Sequence, residues 1–86
     1  MPLSKTFHAL SDKNRQKILE LLKKKDMPVN EILKHLNITG ASLSHHLTVL
    51  KNSNLVSSLR SGQQIIYSLN LSVFEEVLKS INKFIK

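Results

Sequence analysis

A chain of 86 residues is one domain's worth of sequence, with a core near the small end of what folds alone. It holds no cysteine, which excludes a disulfide framework and a thiolate metal site. Its 13 Lys and Arg against 6 Asp and Glu give a net charge of +7 and a pI near 10.0, a balance that suits a polyanionic partner.

In chain order, a short helix is expected over residues 4–10. Ser11 is a candidate N-cap for a second helix over residues 12–25, with Ile18, Leu21 and Leu22 on one side. Its last turn carries Lys23, Lys24 and Lys25, where cations suit the negative end of the helix dipole. Pro28 suits the first turn of a third helix over residues 29–36, with Ile32, Leu33 and Leu36 inward. Asn37 and Ile38 make a short turn, and Thr39 can cap a fourth helix over residues 40–52. There Leu43, Leu47 and Leu50 share one face, while Ser42, Ser44, His45 and Thr48 lie off it. Asn54 suits a left-handed C-terminal cap. Two strands, over residues 56–60 and 63–69, are split by Ser61-Gly62, a hairpin signal.

A polar-faced helix followed by a basic hairpin is the layout of a winged helix-turn-helix, with the fourth helix as the reading element. A plain amphipathic helix packed on a small sheet fits the same segment. Charge placement separates the two. The carboxylates are Asp12, Glu20, Asp26, Glu31, Glu75 and Glu76, and the gap between Glu31 and Glu75 holds Lys34, Lys51 and Arg60. A surface that meets phosphates excludes carboxylates, whereas a merely solvated one intersperses both signs.

The last helix carries Leu71, Phe74, Val77, Leu78, Ile81, Phe84 and Ile85 at three- and four-residue steps. Its stripe of Phe74, Val77, Leu78, Ile81 and Ile85 is expected to bury against a second copy of the chain, because reading duplex DNA with one short helix generally takes two half-sites. An intramolecular core helix in a monomer is the alternative.

The fold class that follows is mainly α with a small β-hairpin: about five helices plus a two-stranded wing, residues 1–86 forming one DNA-binding domain with a terminal dimerisation helix. The N-terminus, Met1-Pro2-Leu3-Ser4-Lys5, lacks the apolar run of a signal peptide, and no stretch approaches the ~20 apolar residues that span a bilayer. A cytoplasmic chain without a membrane partner is expected.

The run Ala9-Leu10-Ser11-Asp12-Lys13-Asn14-Arg15-Gln16-Lys17-Ile18-Leu19-Glu20-Leu21-Leu22 resembles the opening motif of the ArsR/SmtB family of bacterial repressors. Ser42-Leu43-Ser44-His45-His46-Leu47, with Leu50-Lys51 and Leu55-Val56, is similar to that family's recognition-helix signature, and the segment from Arg60-Ser61-Gly62 to Tyr67-Ser68-Leu69 to its wing. The resemblance implies a homodimeric winged-helix repressor on a palindromic operator. Thr39, Gly40, Ser42, Ser44, His45, His46 and Thr48 are the expected DNA-facing residues, with His46 as a phosphate anchor or helix-positioning group. Lys51, Arg60, Gln63 and Gln64 are the expected backbone and wing anchors. Two positions depart from the family pattern. Gly40 stands where a longer polar residue is frequent, and Gln63 where Arg or Lys is.

The family's metal sites are not matched. One needs a cysteine pair on the third helix, which here reads Val29-Asn30-Glu31-Ile32-Leu33-Lys34-His35-Leu36. Another uses Asp and His on the last helix, where only Glu75 and Glu76 occur. Adjacent side chains on a helix diverge by ~100° and chelate poorly, an objection that holds for His45 and His46 as well. His8 and His35 are lone histidines. No metal and no cofactor is expected, as in the metal-independent, SdpR-type branch that the Ser-His-His-Leu and Ile-Tyr-Ser-Leu-Asn runs resemble. Control is left to protein level or to an unidentified protein or ligand regulator.

Catalysis has no support. Ser44 and its histidine neighbours diverge on the helix, with no carboxylate nearby in sequence to orient an imidazole. The two glycines, Gly40 and Gly62, make no phosphate-cradling loop. Three functions stay open: a sequence-specific dimeric repressor, a winged-helix module acting mainly through a protein partner, and a non-specific basic DNA- or RNA-binding protein. The last lacks interleaved aromatics, since Phe7, Tyr67, Phe74 and Phe84 all fall in core-like patterns.

Overall fold

The computed structural model describes residues 3–85. Met1 and Pro2, two of the residues behind the leader reading, lie outside the described residues. Five helices and three strands follow in the order α1 (Leu3–Leu10), α2 (Lys13–Lys24), β1 (Met27–Pro28), α3 (Val29–Lys34), α4 (Gly40–Asn52), β2 (Val56–Ser61), β3 (Gln64–Leu69) and α5 (Leu71–Ile85). The five helices and the two-stranded wing expected from sequence are present. No helix among the described residues is long and apolar enough to cross a membrane.

The N-cap of α2 is Asp12 rather than Ser11. The Asp12 carboxylate accepts the backbone N–H groups of Asn14 at 2.8 Å and Arg15 at 3.1 Å. The Ser11 hydroxyl instead donates to the His8 carbonyl at 2.7 Å, closing the end of α1. Both residues are good caps by type, and the carboxylate one position closer to the helix wins because it satisfies two orphan donors.

Pro28 is the residue before α3, and with Met27 it forms a strand. The sheet order is β1-β3-β2, all antiparallel, with Met27 opposite Tyr67 and Pro28 opposite Ile66. A proline is tolerated there because β1 is an edge strand. The third helix stops at Lys34, two residues early: His35 and Leu36 bond back three residues, to Ile32 and Leu33, tightening the chain into the turn.

Thr39 caps α4 as expected, its hydroxyl accepting the Ser42 N–H at 3.1 Å. The other end closes on Asn54, whose φ of 63° is left-handed. The Asn54 N–H reaches the Lys51 carbonyl, and the Leu55 N–H reaches the Leu50 carbonyl. This paired closure is the Schellman motif. It turns the chain straight into β2, which pairs with β3 from Val56–Leu69 to Ser61–Gln64. Gly62, at φ +64°, and Gln63 are the two loop residues, and glycine takes that φ with no Cβ penalty.

The core is Ala9, Ile18, Leu19, Leu22, Met27, Ile32, Leu43, Leu47, Leu50, Leu55, Val56 and Val77. It draws on every helix and on all three strands except β3, whose Tyr67 and Leu69 pack against its edge. On α2, Leu19 is buried with Ile18 and Leu22, while Leu21, expected on that side, is only half-buried.

Candidate nucleic-acid interface

The α4 leucines decide which face looks outward. Leu43 and Leu50 are fully buried and Leu47 nearly so. The opposite face then presents Ser44, His45, Thr48 and Lys51, all exposed. Ser44, Thr48 and Lys51 follow at i, i+4 and i+7, one line along the helix. Thr39 and Gly40 are exposed at its start, and Ser42 is half-buried on the flank. Ala41 and Asn52 share the exposed face and were not expected there. Their helical phase, three residues before Ser44 and four after Thr48, was the available signal.

Thr48 has a local bond that sequence did not show. Its hydroxyl donates to the Ser44 carbonyl at 3.0 Å, which leaves it free only to accept. On the wing, Arg60, Gln63 and Gln64 are exposed. Arg60 stands opposite Ile65 in the ladder, two pairs from the Gly62 loop end.

Burial separates the two roles expected of His46, phosphate anchor and helix-positioning group, in favour of the second. The residue is 8% exposed, turned in from the face that holds His45, so it does not stand among the residues a duplex could touch. Its Nδ1 lies 3.0 Å from the Arg15 Nη1, and its Nε2 lies 3.9 Å from the Asp12 Oδ1. Arg15, which sequence reading passed over, is buried as well. The signal for it was weak: an arginine on an otherwise apolar face of α2, in line with Ile18, Leu19 and Leu22.

Asp12 brings a carboxylate to the His46 ring of α4. Burial pushes its carboxyl up, but the Arg15 and Asn14 N–H donors, with the His46 ring and the Arg15 guanidinium beside it, hold it below its ordinary value of 3.8. A lowered carboxyl stabilises the fold above the unfolded value and loses that contribution as pH falls through the lower, folded one. Asp12→Ala should therefore destabilise the fold at pH 7 by about 0.5–2 kcal/mol, the usual worth of an N-cap. The difference between variant and wild type should shrink below about pH 4, where the wild-type cap is lost too. Urea unfolding at pH 7 and pH 3 checks this, and a gap that stays constant would remove the charge from the account.

The expected dimer stripe divides in two. Val77 is 1% exposed and belongs to the chain's own core, which withdraws it from any interface. Phe74 and Ile81 are half-buried against that core. Leu78 is 52% exposed and Ile85 74%, with Leu71 and Phe84 exposed beside them on the helix. Phe84 and Phe7 are therefore not core residues, contrary to the pattern reading.

Among the described residues no group of three or more His, Asp or Glu side chains is placed to hold a metal ion. The arrangement offers hydrogen-bonding side chains on a rigid helix, a cationic hairpin and an apolar helix edge.

Residues 12–58 match the model of the bacterial regulatory proteins of the arsR family. The transcriptional repressor SdpR of Bacillus subtilis (strain 168) is 43% identical over 83 residues, which cover 96% of this chain and 92% of that one. The crystal structure of Rv0081 from Mycobacterium tuberculosis superposes with a TM-score of 0.78 at 32% identity, over 99% of this chain and 90% of that one. The homodimeric winged helix-turn-helix DNA-binding domain of Mb0332 from Mycobacterium bovis gives a TM-score of 0.80 at 23% identity, over 94% and 78% of the two chains, a likeness of fold.

Proposed function

The chain belongs to the arsR family of bacterial regulatory proteins, and on that premise we propose that it is a homodimeric repressor that reads a palindromic operator with α4. The observation that carries the reading is the outward face of α4. Ser44, His45, Thr48 and Lys51 lie exposed on it, in a stretch from Glu31 to Glu75 that holds no carboxylate between its ends. Short polar side chains on a helix narrow enough for the major groove can reach base edges, and Lys51 and Arg60 supply charge for phosphates. The dimer reading draws on the exposed Leu78, Phe84 and Ile85 of α5 and on Phe7 of α1. It also draws on the name of Mb0332, which describes that protein as homodimeric.

In this reading the two copies present their α4 helices about 34–36 Å apart, one turn of duplex, and each wing lies along the neighbouring backbone. Thr39, Gly40, Ser42, Ser44, His45 and Thr48 face the groove; Ala41 adds a methyl for apolar contact with thymine. Gln63 and Gln64 at the hairpin end hold phosphate or the minor-groove edge through neutral hydrogen bonds. The whole chain acts as one DNA-binding unit inside the cell and performs no catalysis.

Titration against the duplex upstream of its own gene and against random duplex, at one salt concentration, tests the proposal. Tighter binding to the upstream duplex by at least about 10³ is expected. Equal affinities make it a non-specific binder, and no binding to either makes it a module for a protein partner. The same titration over a salt series reads the wing. Arg60→Ala should lower the slope of log K against log salt by about 0.9 in magnitude, the loss of one phosphate contact. An unchanged slope would free the hairpin of DNA.

A further inference from the structure

Arg15 is a buried cation. Its guanidinium donates from Nε to the Ala9 carbonyl at 2.8 Å and from Nη2 to the His8 carbonyl at 3.0 Å. Both carbonyls belong to the last turn of α1, where C=O groups lack helical partners and the dipole is negative. The third bond leaves that helix, since Nη1 lies 3.0 Å from the His46 Nδ1 in the middle of α4. An arginine has no acceptor, so Nδ1 accepts and the ring proton sits on Nε2, the nitrogen that faces the Asp12 carboxylate at 3.9 Å. One planar group thus locks the end of α1 to α4, with the cap of α2 closing the far side of the imidazole.

We infer that Arg15 and His46 are a positioning pair that sets the angle of α4 against α1, and through it the half-site spacing the dimer accepts. The inference rests on the homodimeric DNA-reading function proposed above. His46 adjoins His45 and lies two residues from Ser44, so any rotation of α4 about its buried face moves both reading side chains. On the other side of the pair, α1 carries the exposed Phe7 next to His8. The helix that Arg15 grips is therefore one that offers an apolar group to a second copy. Leucine packing alone lets a helix rotate and slide by small steps, whereas a fork of directed, buried hydrogen bonds fixes one orientation. A lysine in place of Arg15 could not make the three bonds at once.

The test uses the full chain and a set of duplexes carrying the two half-sites of the wild-type operator, with their spacing changed one base pair at a time. Each step turns one half-site by about 34–36° relative to the other. Wild type should prefer one spacing by about tenfold or more over its neighbours, the scale of a mismatched base pair. His46→Asn keeps an acceptor near the Nδ1 position and should keep the preference. His46→Leu should flatten it to within about threefold while dimerising and binding random duplex as wild type does. A residue serving stability alone would lower all affinities and leave the preference standing. An unaltered preference in His46→Leu overturns the positioning role and leaves the DNA reading intact. A wild type without any operator preference overturns the reading instead. Should His46→Leu fail to fold, nitrogen NMR of the wild-type His46 ring decides. A bare Nδ1 with a protonated Nε2 supports the pair, and a protonated Nδ1 overturns it.

Discussion

Leu78→Asp should yield a folded monomer that has lost its operator. Leu78 is half-exposed on α5, so a carboxylate there stays hydrated in the single chain and leaves the core intact. In a two-fold dimer the same position occurs twice at one seam. Full burial of a leucine is worth about 1.5–3 kcal/mol. Losing even part of that twice, and setting two carboxylates against each other in an apolar seam, should weaken dimerisation by at least about 100-fold. Two linked half-sites bind far more tightly than one, so operator affinity should fall with the dimer. Val77→Asp, one residue earlier, should behave differently. Val77 is fully buried within the chain, and a charge there should unfold the monomer itself. Sedimentation at micromolar concentration, with thermal unfolding alongside, separates the two. A Leu78→Asp protein that remains dimeric would move the interface off α5.

The contrast between Val77 and Leu78 marks where sequence reading stops. An apolar stripe shows that a helix buries a face, and α5 does. It does not divide that face between the chain's own core and a partner, because both want the same residue types. The division needs the position of the rest of the core, which only the fold supplies. His46 was hidden for a related reason. A histidine on a helix beside Ser44 and His45 reads as polar surface, and its inward turn depends on Arg15 arriving from a different helix, 31 residues away in sequence. Local chemistry was far more legible. Thr39 and Asn54 bracket α4 because a hydroxyl cap and a left-handed cap act within a few residues of themselves. Ser61-Gly62 announced the hairpin for the same reason. The β1 strand escaped notice because two residues carry no periodicity. Pro28 signals a helix start equally well, and here it stands at both boundaries.

Ser44→Ala and His45→Ala should each weaken operator binding by about 1–3 kcal/mol, roughly 5- to 150-fold, with little change on random duplex. Both side chains are exposed, and neither takes part in holding α4 to the core, which Leu43, Leu47 and Leu50 do. Truncating them removes donors and acceptors from the groove face without disturbing the helix that presents them. Thr48 shares that face, yet its hydroxyl proton is committed to the Ser44 carbonyl. Thr48→Val keeps the shape and removes a hydroxyl whose proton is already bonded within the helix and which could only accept, so its effect on the operator should stay within about 0.5 kcal/mol, the range of a neutral surface change. The order of the three variants is the informative result. Ser44 and His45 well above Thr48, and only on the operator, means that α4 reads bases through its free hydrogen-bonding groups. Equal losses on operator and random duplex would make Ser44 and His45 backbone anchors and shift base reading toward Thr39, Ala41 and Ser42 at the start of the helix. A large loss from Thr48→Val would mean that its hydroxyl turns from the Ser44 carbonyl to a base or phosphate when the duplex arrives.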